Sequence, residues 1–250
     1  FTGSAGTVVI TTNQAGLWTD SRYFLQAAQQ LKGTEIKLYK EMLPETPSIS
    51  AFLSTQLTPG DAVGIDGKMF SAEEVERMQA ELQKCQIKVK SISDPLDKLW
   101  TDRPPMPEAP AFIYETQYAG KSSIEKIAII RKELKKCNAK ALFLSALDEI
   151  AWTLNLRGND VHCNPVLVSY LLIEENETHY FIQPQKITAE VATYMKETGV
   201  NLHTYEEAEA YLSRISVESL LLNPAKTNYA MYSAVNPDCR IIHGASPVTL

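Results

Sequence analysis

The sequence predicts an α/β protein built from two consecutive domains. Short aliphatic or β-branched runs alternate with amphipathic segments along most of the 250 residues, which is the pattern of strands and helices in layered α/β folds. The alternation is interrupted at residues 101–110, which contain four prolines. Such a composition predicts a stiff, extended linker. We therefore expect one domain over residues 1–100 and a second over residues 111–250.

The first domain is predicted to begin with a hairpin. Residues 8–12 are largely β-branched, and turn residues at 13–16 lead into a second extended run at 17–20, as in two strands joined by a tight turn. Helix caps and buried runs then predict a helix over 22–31, a strand over 35–39, a helix over 48–56, a strand over 61–66, a helix from 71 to 85 opened by a Ser71–Glu74 capping box, and a strand over 87–92.

The second domain is predicted to open with a long amphipathic helix over 122–137, whose apolar residues recur near helical spacing. The same alternation then predicts strands over 141–145, 166–173, 179–182, 219–222 and 240–243, and helices over 147–154, 188–197, 204–214 and 228–234. The two halves share this alternation without a residue-level repeat.

Composition narrows the functional classes. The formal net charge of −6 argues against a general nucleic-acid partner. No apolar run reaches the roughly 18–20 residues that span a bilayer, so we expect no membrane partner. Four widely separated cysteines favour reduced cytosolic thiols over a disulfide framework or a zinc site, which predicts a cytoplasmic protein. The first residues do not resemble a signal peptide, but a chain that starts at Phe1 leaves an upstream targeting segment open.

The glycine-rich opening, residues 1–7, invites comparison with phosphate-binding loops. A P-loop needs a Lys after its last glycine and a strand before the loop, whereas Gly3–Thr7 has no Lys and leads into a strand. The nucleophile elbow fails on spacing as well. We expect these glycines to permit a close approach of backbone to neighbouring groups.

The histidines do not predict a metal site. None of the four pairs with another at the i, i+4 spacing of helical zinc ligands, and no acidic residues cluster beside them. His162 and Cys163 are adjacent in sequence, and adjacent side chains usually diverge, so we do not expect a Cys-His dyad.

Specific side chains are most concentrated over residues 147–165. Ser145 or Asp148 is predicted to cap a short helix, and Gly158 is predicted to end it in a left-handed turn. Arg157 would then lie at the helix C-terminus, where its charge complements the helix dipole. The helix is expected to bury the side chains Ile150, Trp152 and Leu154.

The loop that follows this helix is open to two interpretations. Asn155, Asp160 and Asn164 bring hydrogen-bonding groups onto one connected segment, which suits a ligand-facing loop. A structural turn fixed by an Arg157–Asp160 ion pair is equally compatible with the pattern.

The same segment carries a family resemblance. LDEIAWTLNLRGNDVHCNPVLVSYLLI closely resembles the second domain of the large, three-domain Xaa-Pro aminopeptidases (aminopeptidase P) of the creatinase/prolidase-like superfamily. FTGSAGTVVI and AGLWTDSRYFLQAA resemble the first domain of that family. PLDKLWTDRPPMPEAP and YAGKSSIEKIAIIRKELKK resemble its crossing between domains. The resemblance covers essentially the whole chain in the expected order.

The resemblance implies a fold of two tandem creatinase N-terminal-like domains, each a mixed β-sheet flanked by helices, with the first domain incomplete at its N-terminus. It also implies that catalysis belongs to a C-terminal domain absent from this chain. In the family, two Asp, one His and two Glu hold two divalent metal ions there, typically manganese, for attack on the X-Pro bond. No catalytic residue and no metal ligand is therefore assigned here, and these residues alone are expected to be inactive.

The resemblance further implies peptide substrates with proline at the second position, a homo-oligomer such as a dimer, and a role for these domains in substrate access and oligomer contacts. It suggests five substrate-binding candidates, Trp18, Arg22, Tyr23, Arg157 and Asp160, each of which also suits a packing or domain-interface role. Two alternatives stay open. One is a binding or assembly module of a peptidase-like protein without the metal ligands. The other is an enzyme acting on an amidino compound such as creatine, although creatinase-type chains have a single N-terminal domain.

Overall fold

The structure, a computed structural model, describes residues 1–249. It divides into two compact units. The first comprises Phe1–Gly64 and Glu76–Lys90, and the second comprises Ile65–Val75 and the chain from Ser91 onward. None of the helices in the described residues has the length and hydropathy that a membrane crossing requires.

The first unit opens with a three-stranded sheet formed by β1 (Thr7–Ile10), β2 (Ala15–Thr19) and β3 (Ile36–Lys40). The strands lie in the order β1-β2-β3, with β1 antiparallel and β3 parallel to the central β2. The first two form the predicted hairpin, and the backbone N–H of Thr11 donates to the Gln14 carbonyl at 2.8 Å to close its turn. The parallel partner β3 requires a crossover, which the helix between β2 and β3 supplies.

The remaining elements of the first half are mainly helical. A 3₁₀ turn at Ser21–Tyr23 leads into α1 (Phe24–Gln30), and α2 (Ile49–Gln56) follows Ser48, whose side chain caps it by accepting from the Ala51 N–H. The chain continues through β4 (Ala62–Asp66), α3 (Ala72–Gln83) and β5 (Lys88–Ile92), and β4 pairs with β5. The predicted capping box is confirmed, because the Ser71 hydroxyl donates to the Glu74 carboxylate at 2.8 Å and accepts from the Glu74 N–H at 3.2 Å.

Between residues 111 and 249 the second unit contains eight strands and six helices. They are β6 (Phe112–Ile113), α4 (Thr116–Ala119), α5 (Ser123–Lys136), β7 (Ala141–Leu144), α6 (Leu147–Leu154), β8 (Leu156–Arg157), β9 (Ser169–Glu174), β10 (Thr178–Ile182), α7 (Ala189–Glu197), β11 (Asn201–His203), α8 (Glu207–Ser213), β12 (Ser219–Leu222), α9 (Tyr229–Ala234) and β13 (Arg240–His243).

Six of these eight strands form one mixed sheet in the order β11-β10-β9-β7-β12-β13, and the other two, β6 and β8, pair with each other. Strand β9 runs antiparallel to both of its neighbours, whereas β12 is parallel to β7 and to β13. All four residues of β7 are buried, as expected for a central strand covered on both faces.

The core of the second unit lies on both faces of this sheet. Leu142 and Leu144 of β7 join a cluster with apolar residues of α5, α6 and α7. Ala141 and Phe143 of the same strand join a second cluster with residues of α8 and α9. Because successive side chains of a strand point to opposite faces, β7 contributes to both clusters. The predicted fold, a mixed sheet flanked by helices, is confirmed.

Several boundaries differ from the sequence-based predictions. Strand β9 begins at Ser169 instead of residue 166, because the Val168 N–H donates to the Asp160 carboxylate at 2.7 Å instead of joining the sheet. The short elements β6, α4, β8 and β11 were not predicted, since segments of two to four residues are too short to show a period. Residues 101–110 contain no helix or strand, and their role as a domain linker stays a prediction.

Candidate functional site

The five predicted substrate-binding residues are divided between the two units. Trp18, Arg22 and Tyr23 belong to the first unit, and Arg157 and Asp160 belong to the second. Each group is positioned by a different local structure. Their assignment to substrate binding stays a prediction.

Trp18 lies in the core of the first unit. Its side chain is 1% exposed, and its ring stacks on Tyr39 with 4.0 Å between ring centroids. The indole N–H donates to the Pro47 carbonyl at 2.9 Å, so the polar atom of this buried ring is satisfied. In this structure the side chain offers no surface to a peptide, and its observed contacts are those of a packing residue.

Arg22 is exposed and held by a carboxylate on the same 3₁₀ turn. Its Nε donates to Asp20 Oδ1 at 2.9 Å and its Nη2 donates to Asp20 Oδ2 at 2.7 Å, which is the bidentate geometry favoured by guanidinium and carboxylate. The hydrogen bond from Arg22 lowers the pKa of Asp20. The side chain of Arg22 is 64% exposed, so the guanidinium remains accessible while Asp20 fixes its orientation.

Tyr23 connects this turn to the glycine-rich opening. Its hydroxyl lies in hydrogen-bonding contact with Ser4, which lowers the pKa of Tyr23, and Phe1 meets its ring edge-on with 5.8 Å between centroids. A Cβ at Gly6 would lie 3.3 Å from the Trp18 carbonyl oxygen. The opening segment therefore packs closely against the turn, as predicted for glycines that serve close approach.

In the second unit, Arg157 lies at the end of α6. Its Nη1 donates to the carbonyls of Ala151 and Leu156, and its guanidinium lies 4.7 Å from the centroid of the Tyr114 ring. These contacts agree with the predicted position at the helix C-terminus. Burial lowers the pKa of Arg157, and no ion pair within 4 Å joins it to a carboxylate of residues 1–249.

The predicted helix stop and cap need correction. Asn155, with φ 51° and ψ 35°, takes the left-handed position that ends α6, whereas Gly158 does not adopt positive φ. A Cβ at Gly158 would lie 2.2 Å from Leu167 Cδ2, so this glycine is required for close packing.

The predicted caps of α6 are also wrong, because no side chain caps this helix and the Ser145 hydroxyl donates instead to the Lys226 carbonyl at 2.7 Å. Trp152, predicted to be buried, is 37% exposed.

Asp160 forms a buried ion pair with Lys186. The two side chains are both 0% exposed, and the same carboxylate oxygen accepts from the Val168 N–H at 2.7 Å. The expected Arg157–Asp160 pair is therefore wrong, since Asp160 turns inward to a lysine from the 3₁₀ turn Pro184–Lys186. In this structure the Asp160 side chain is inaccessible to solvent and fixes the loop after α6.

A second buried lysine, which was not predicted from the sequence, contacts the C-terminal end of α6. Lys126 is 1% exposed, and its Nζ donates to the Trp152 carbonyl at 2.8 Å and to Asn155 Oδ1 at 2.5 Å. Its Nζ also lies 4.4 Å from the Trp152 ring centroid, a cation–π distance. One signal was available, because Lys126 shares a helix face with the core residues Ile130 and Leu134 at i+4 and i+8.

Two of the four histidines, His179 and His203, lie side by side in the second unit. His179 Nδ1 and His203 Nε2 are 3.0 Å apart, and the Tyr211 hydroxyl lies 3.0 Å from His179 Nε2. Burial lowers the pKa of His179. Among residues 1–249, no group of three or more His, Cys, Asp or Glu side chains has the geometry of a metal site.

The fold and these local structures define a chain of two α/β units, each with a mixed arrangement of strands. Two family models, both described as the creatinase/prolidase N-terminal domain, match residues 1–99 and 102–250. The chain belongs to the creatinase/prolidase N-terminal domain family.

Curated relatives place the similarity among aminopeptidases. The chain is 36% identical over 244 residues to Aminopeptidase P2 of Arabidopsis thaliana, covering 96% of this chain and 34% of the relative. It is 36% identical over 253 residues to Xaa-Pro aminopeptidase ApepP of Drosophila melanogaster, covering 99% of this chain and 41% of the relative. The chain thus resembles the N-terminal region of Xaa-Pro aminopeptidases and spans about a third to two fifths of the length of these relatives.

A solved structure gives the same result at the level of fold. The X-prolyl aminopeptidase from Caenorhabditis elegans, described as a cytosolic enzyme with a di-nuclear active site, matches 98% of this chain with a TM-score of 0.90 and 29% sequence identity. The match covers 42% of that protein.

Proposed function

We propose that this chain is the non-catalytic N-terminal region of a metal-dependent Xaa-Pro aminopeptidase, an enzyme that releases the residue preceding proline from the N-terminus of peptides. The observation that carries the proposal is the fold match to the C. elegans X-prolyl aminopeptidase over 98% of this chain at a TM-score of 0.90. Because this chain corresponds to 42% of that enzyme, the catalytic centre is assigned to the remainder of the full-length protein.

The metal ions belong to that remainder in this proposal. The related enzyme is described as di-nuclear, and we assign two divalent ions, with Mn²⁺ as the expected metal, to the full-length protein. Residues 1–249 provide no cluster of three metal-ligating side chains, so the chain studied alone is expected to be inactive. The proposed full-length enzyme is cytoplasmic and assembles as a homodimer.

The proposed role of this region is to shape substrate access and to supply oligomer contacts. Of the predicted residues, Arg22 suits a substrate contact best, because its guanidinium is 64% exposed and oriented by Asp20. Such a cation can pair with a peptide carboxylate. Trp18 and Asp160 serve this role indirectly, by holding their surroundings in place from buried positions.

The experiment uses the full-length protein and a peptide with proline at the second position. We expect release of the first residue, loss of activity with EDTA, and recovery when Mn²⁺ is added back. A metal-loaded protein that spares X-Pro peptides while cleaving others would contradict the proposal. A full-length sequence that lacks the metal ligands would instead favour a binding or assembly module.

The contribution of Arg22 is tested in the same enzyme. Arg22→Gln is expected to raise KM about tenfold, as for loss of a charge-assisted hydrogen bond, with the melting temperature unchanged. Lys32→Gln, which alters another exposed cation of the first unit, serves as the matched control. An unchanged KM in Arg22→Gln would remove Arg22 from the substrate site while leaving the peptidase assignment intact.

A further inference from the structure

Two adjoining clefts in the second unit carry charges of opposite sign. The larger, about 620 Å³, is lined by Arg131, Lys135, Lys140 and Arg240 among other residues. The smaller, about 380 Å³, is lined by Glu174, Asn176 and Glu177 among others. The two share Lys140, Glu175 and Glu218 as lining residues. We call them together the two-ended groove, with a basic end and an acidic end.

Three cations of the basic end lack a carboxylate partner among the described residues. Within residues 1–249, no ion pair shorter than 4 Å joins Arg131, Lys140 or Arg240 to a carboxylate. Lys135 is 3.6 Å from Glu175, and both of these side chains are more than half exposed, so this pair is weak. The basic end therefore has three cations available to an anionic group.

Arg131 is also held in a fixed orientation. Its Nε donates to the Glu174 carbonyl at 2.8 Å, and its Nη2 donates to the Glu177 carbonyl at 2.9 Å and to the Thr178 hydroxyl at 3.1 Å. All three acceptors are neutral, and burial lowers the pKa of this guanidinium. A partly buried cation with only neutral partners would be stabilised by an anion at the cleft.

The acidic end has the opposite requirement. Burial and the nearby charge of Glu177 raise the pKa of Glu174. Neither Glu174 nor Glu218 has a cation within 4 Å among the described side chains, although the Glu177 carboxylate lies 3.2 Å from His179 Nε2. An ammonium group placed here would relieve the repulsion between the two carboxylates of the β9–β10 turn.

Apolar side chains complete the groove. Leu134 and Ala139 line the basic end and are 3% and 5% exposed, and Val217, which packs against the core, lines the acidic end. A groove with polar groups at its ends and apolar side chains among its lining residues suits a small ligand. Both clefts fall within the size range of such sites, roughly 300–1,000 Å³.

We propose that the two-ended groove binds a short peptide with both termini free, with its carboxylate at the basic end and its α-ammonium at the acidic end. All residues that form this site belong to the present chain, so the proposal does not rest on the peptidase assignment.

The first experiment is isothermal titration calorimetry of the 250-residue chain at fixed ionic strength with trialanine, which lacks an X-Pro bond. We expect saturable binding that weakens at least about fivefold when the peptide is N-acetylated or C-amidated, because each change removes one charge-assisted contact. Equal binding of the blocked peptides would overturn the proposal. Inorganic phosphate that binds as tightly as trialanine would also overturn it, since this would indicate a site for anions alone.

Variants assign each peptide terminus to one end of the groove. Arg240→Gln is expected to weaken trialanine binding about fivefold and to leave binding of the C-amidated peptide nearly unchanged. Glu174→Gln is expected to weaken trialanine binding by a similar factor and to leave binding of the N-acetylated peptide nearly unchanged. Lys136→Gln is the matched control, because Lys136 lies on the same helix as Arg131 but pairs with Glu133 at 2.8 Å.

The pattern across the variants decides the outcome. If Arg240→Gln weakened free and amidated peptides equally, the carboxylate would not lie at the basic end and the proposal would fail. The melting temperature of each variant is measured alongside, and values within a degree or two of the parent chain establish that the fold is retained. Loss of binding in Lys136→Gln would point to a general charge effect and contradict a built site.

Discussion

Two lysines buried in the second unit hold their charges in different ways. Lys186 is 0% exposed and contacts the carboxylate of Asp160, which is equally buried. Lys126 is 1% exposed, but its Nζ has the Trp152 carbonyl at 2.8 Å and Asn155 Oδ1 at 2.5 Å as acceptors. Lys186 therefore forms an ion pair with no net charge, which we call the neutral pair. Lys126 has no carboxylate partner in contact and is surrounded instead by two neutral oxygen acceptors and the face of the Trp152 ring.

The two lysines stabilise α6 and the loop that follows it in different ways. The Asp160–Lys186 pair joins the loop after α6 to the 3₁₀ turn that precedes α7, and Coulomb attraction offsets the desolvation of both groups. Lys126 instead satisfies carbonyl groups at the C-terminus of α6, where the helix dipole favours a cation. Burial lowers the pKa of Lys126, and the charges of Arg157 and Lys121 lower it further.

The largest effect is expected from breaking the neutral pair. Asp160→Asn leaves Lys186 buried without a countercharge, and we expect the free energy of unfolding to fall by about 3–5 kcal/mol. Denaturant unfolding measured by circular dichroism checks this value. The matched variant is the double change Asp160→Asn with Lys186→Met, which removes the isolated charge. A double variant less stable than Asp160→Asn alone would show that the charge is not the cause.

A smaller effect is expected from removing the unpaired charge. Lys126→Met keeps the aliphatic length of the side chain but leaves the Trp152 carbonyl and Asn155 Oδ1 without this donor. We expect a loss of about 2–3 kcal/mol, as for buried acceptors that lose a partner. Lys132→Met, an exposed position on the same helix, is the control and should change stability by less than about 0.5 kcal/mol. Equal losses in the two variants would contradict a specific role for Lys126.

Much of the fold was predictable because local signals agreed with tertiary structure. The helix α6 and the strands β12 and β13 were predicted with the bounds that the structure shows. Capping chemistry was informative at α3, where the predicted Ser71–Glu74 box has both of its hydrogen bonds, but the caps predicted for α6 were wrong. In each of these elements, the apolar pattern and the buried face coincide.

The surroundings of the predicted site residues were harder to predict from the sequence, because they depend on contacts between residues that are distant in sequence. The partner of Asp160 lies 26 residues away, and nothing near Lys186 in the sequence signals that pairing. The side chain of Asn155 accepts a hydrogen bond from Lys126 and donates one to the Lys121 carbonyl. These contacts hold Asn155 in the left-handed position that was predicted for Gly158. The burial of Trp18, a predicted substrate-binding residue, was not predictable from its neighbours in sequence, because it depends on contacts with Tyr39 and Phe52.

Close packing of the loop that carries Asp160 can be tested without altering a charge. Gly158→Ala would place a Cβ 2.2 Å from Leu167 Cδ2, so Leu167 must move. We expect a loss of about 1–2 kcal/mol from this overpacking, measured by denaturant unfolding. In the Leu167→Ala background, adding Gly158→Ala should lower the free energy of unfolding by less than it does in the parent chain, because the clashing side chain has been truncated. A single variant as stable as the parent would show that the loop adjusts freely.

The smallest expected effect is a pH dependence of stability that arises from Lys126. The pKa of Lys126 is lowered from 10.5 in the folded chain, so between the folded and unfolded pKa values the unfolded chain binds more protons at this site. Stability from Lys126 therefore rises with pH as the pH approaches 10.5. The difference in free energy of unfolding between the parent chain and Lys126→Met should grow over this range, while the difference for Lys132→Met stays constant. A Lys126→Met difference that shrinks with rising pH would mean that the carbonyl acceptors hold the protonated lysine more strongly than burial opposes it.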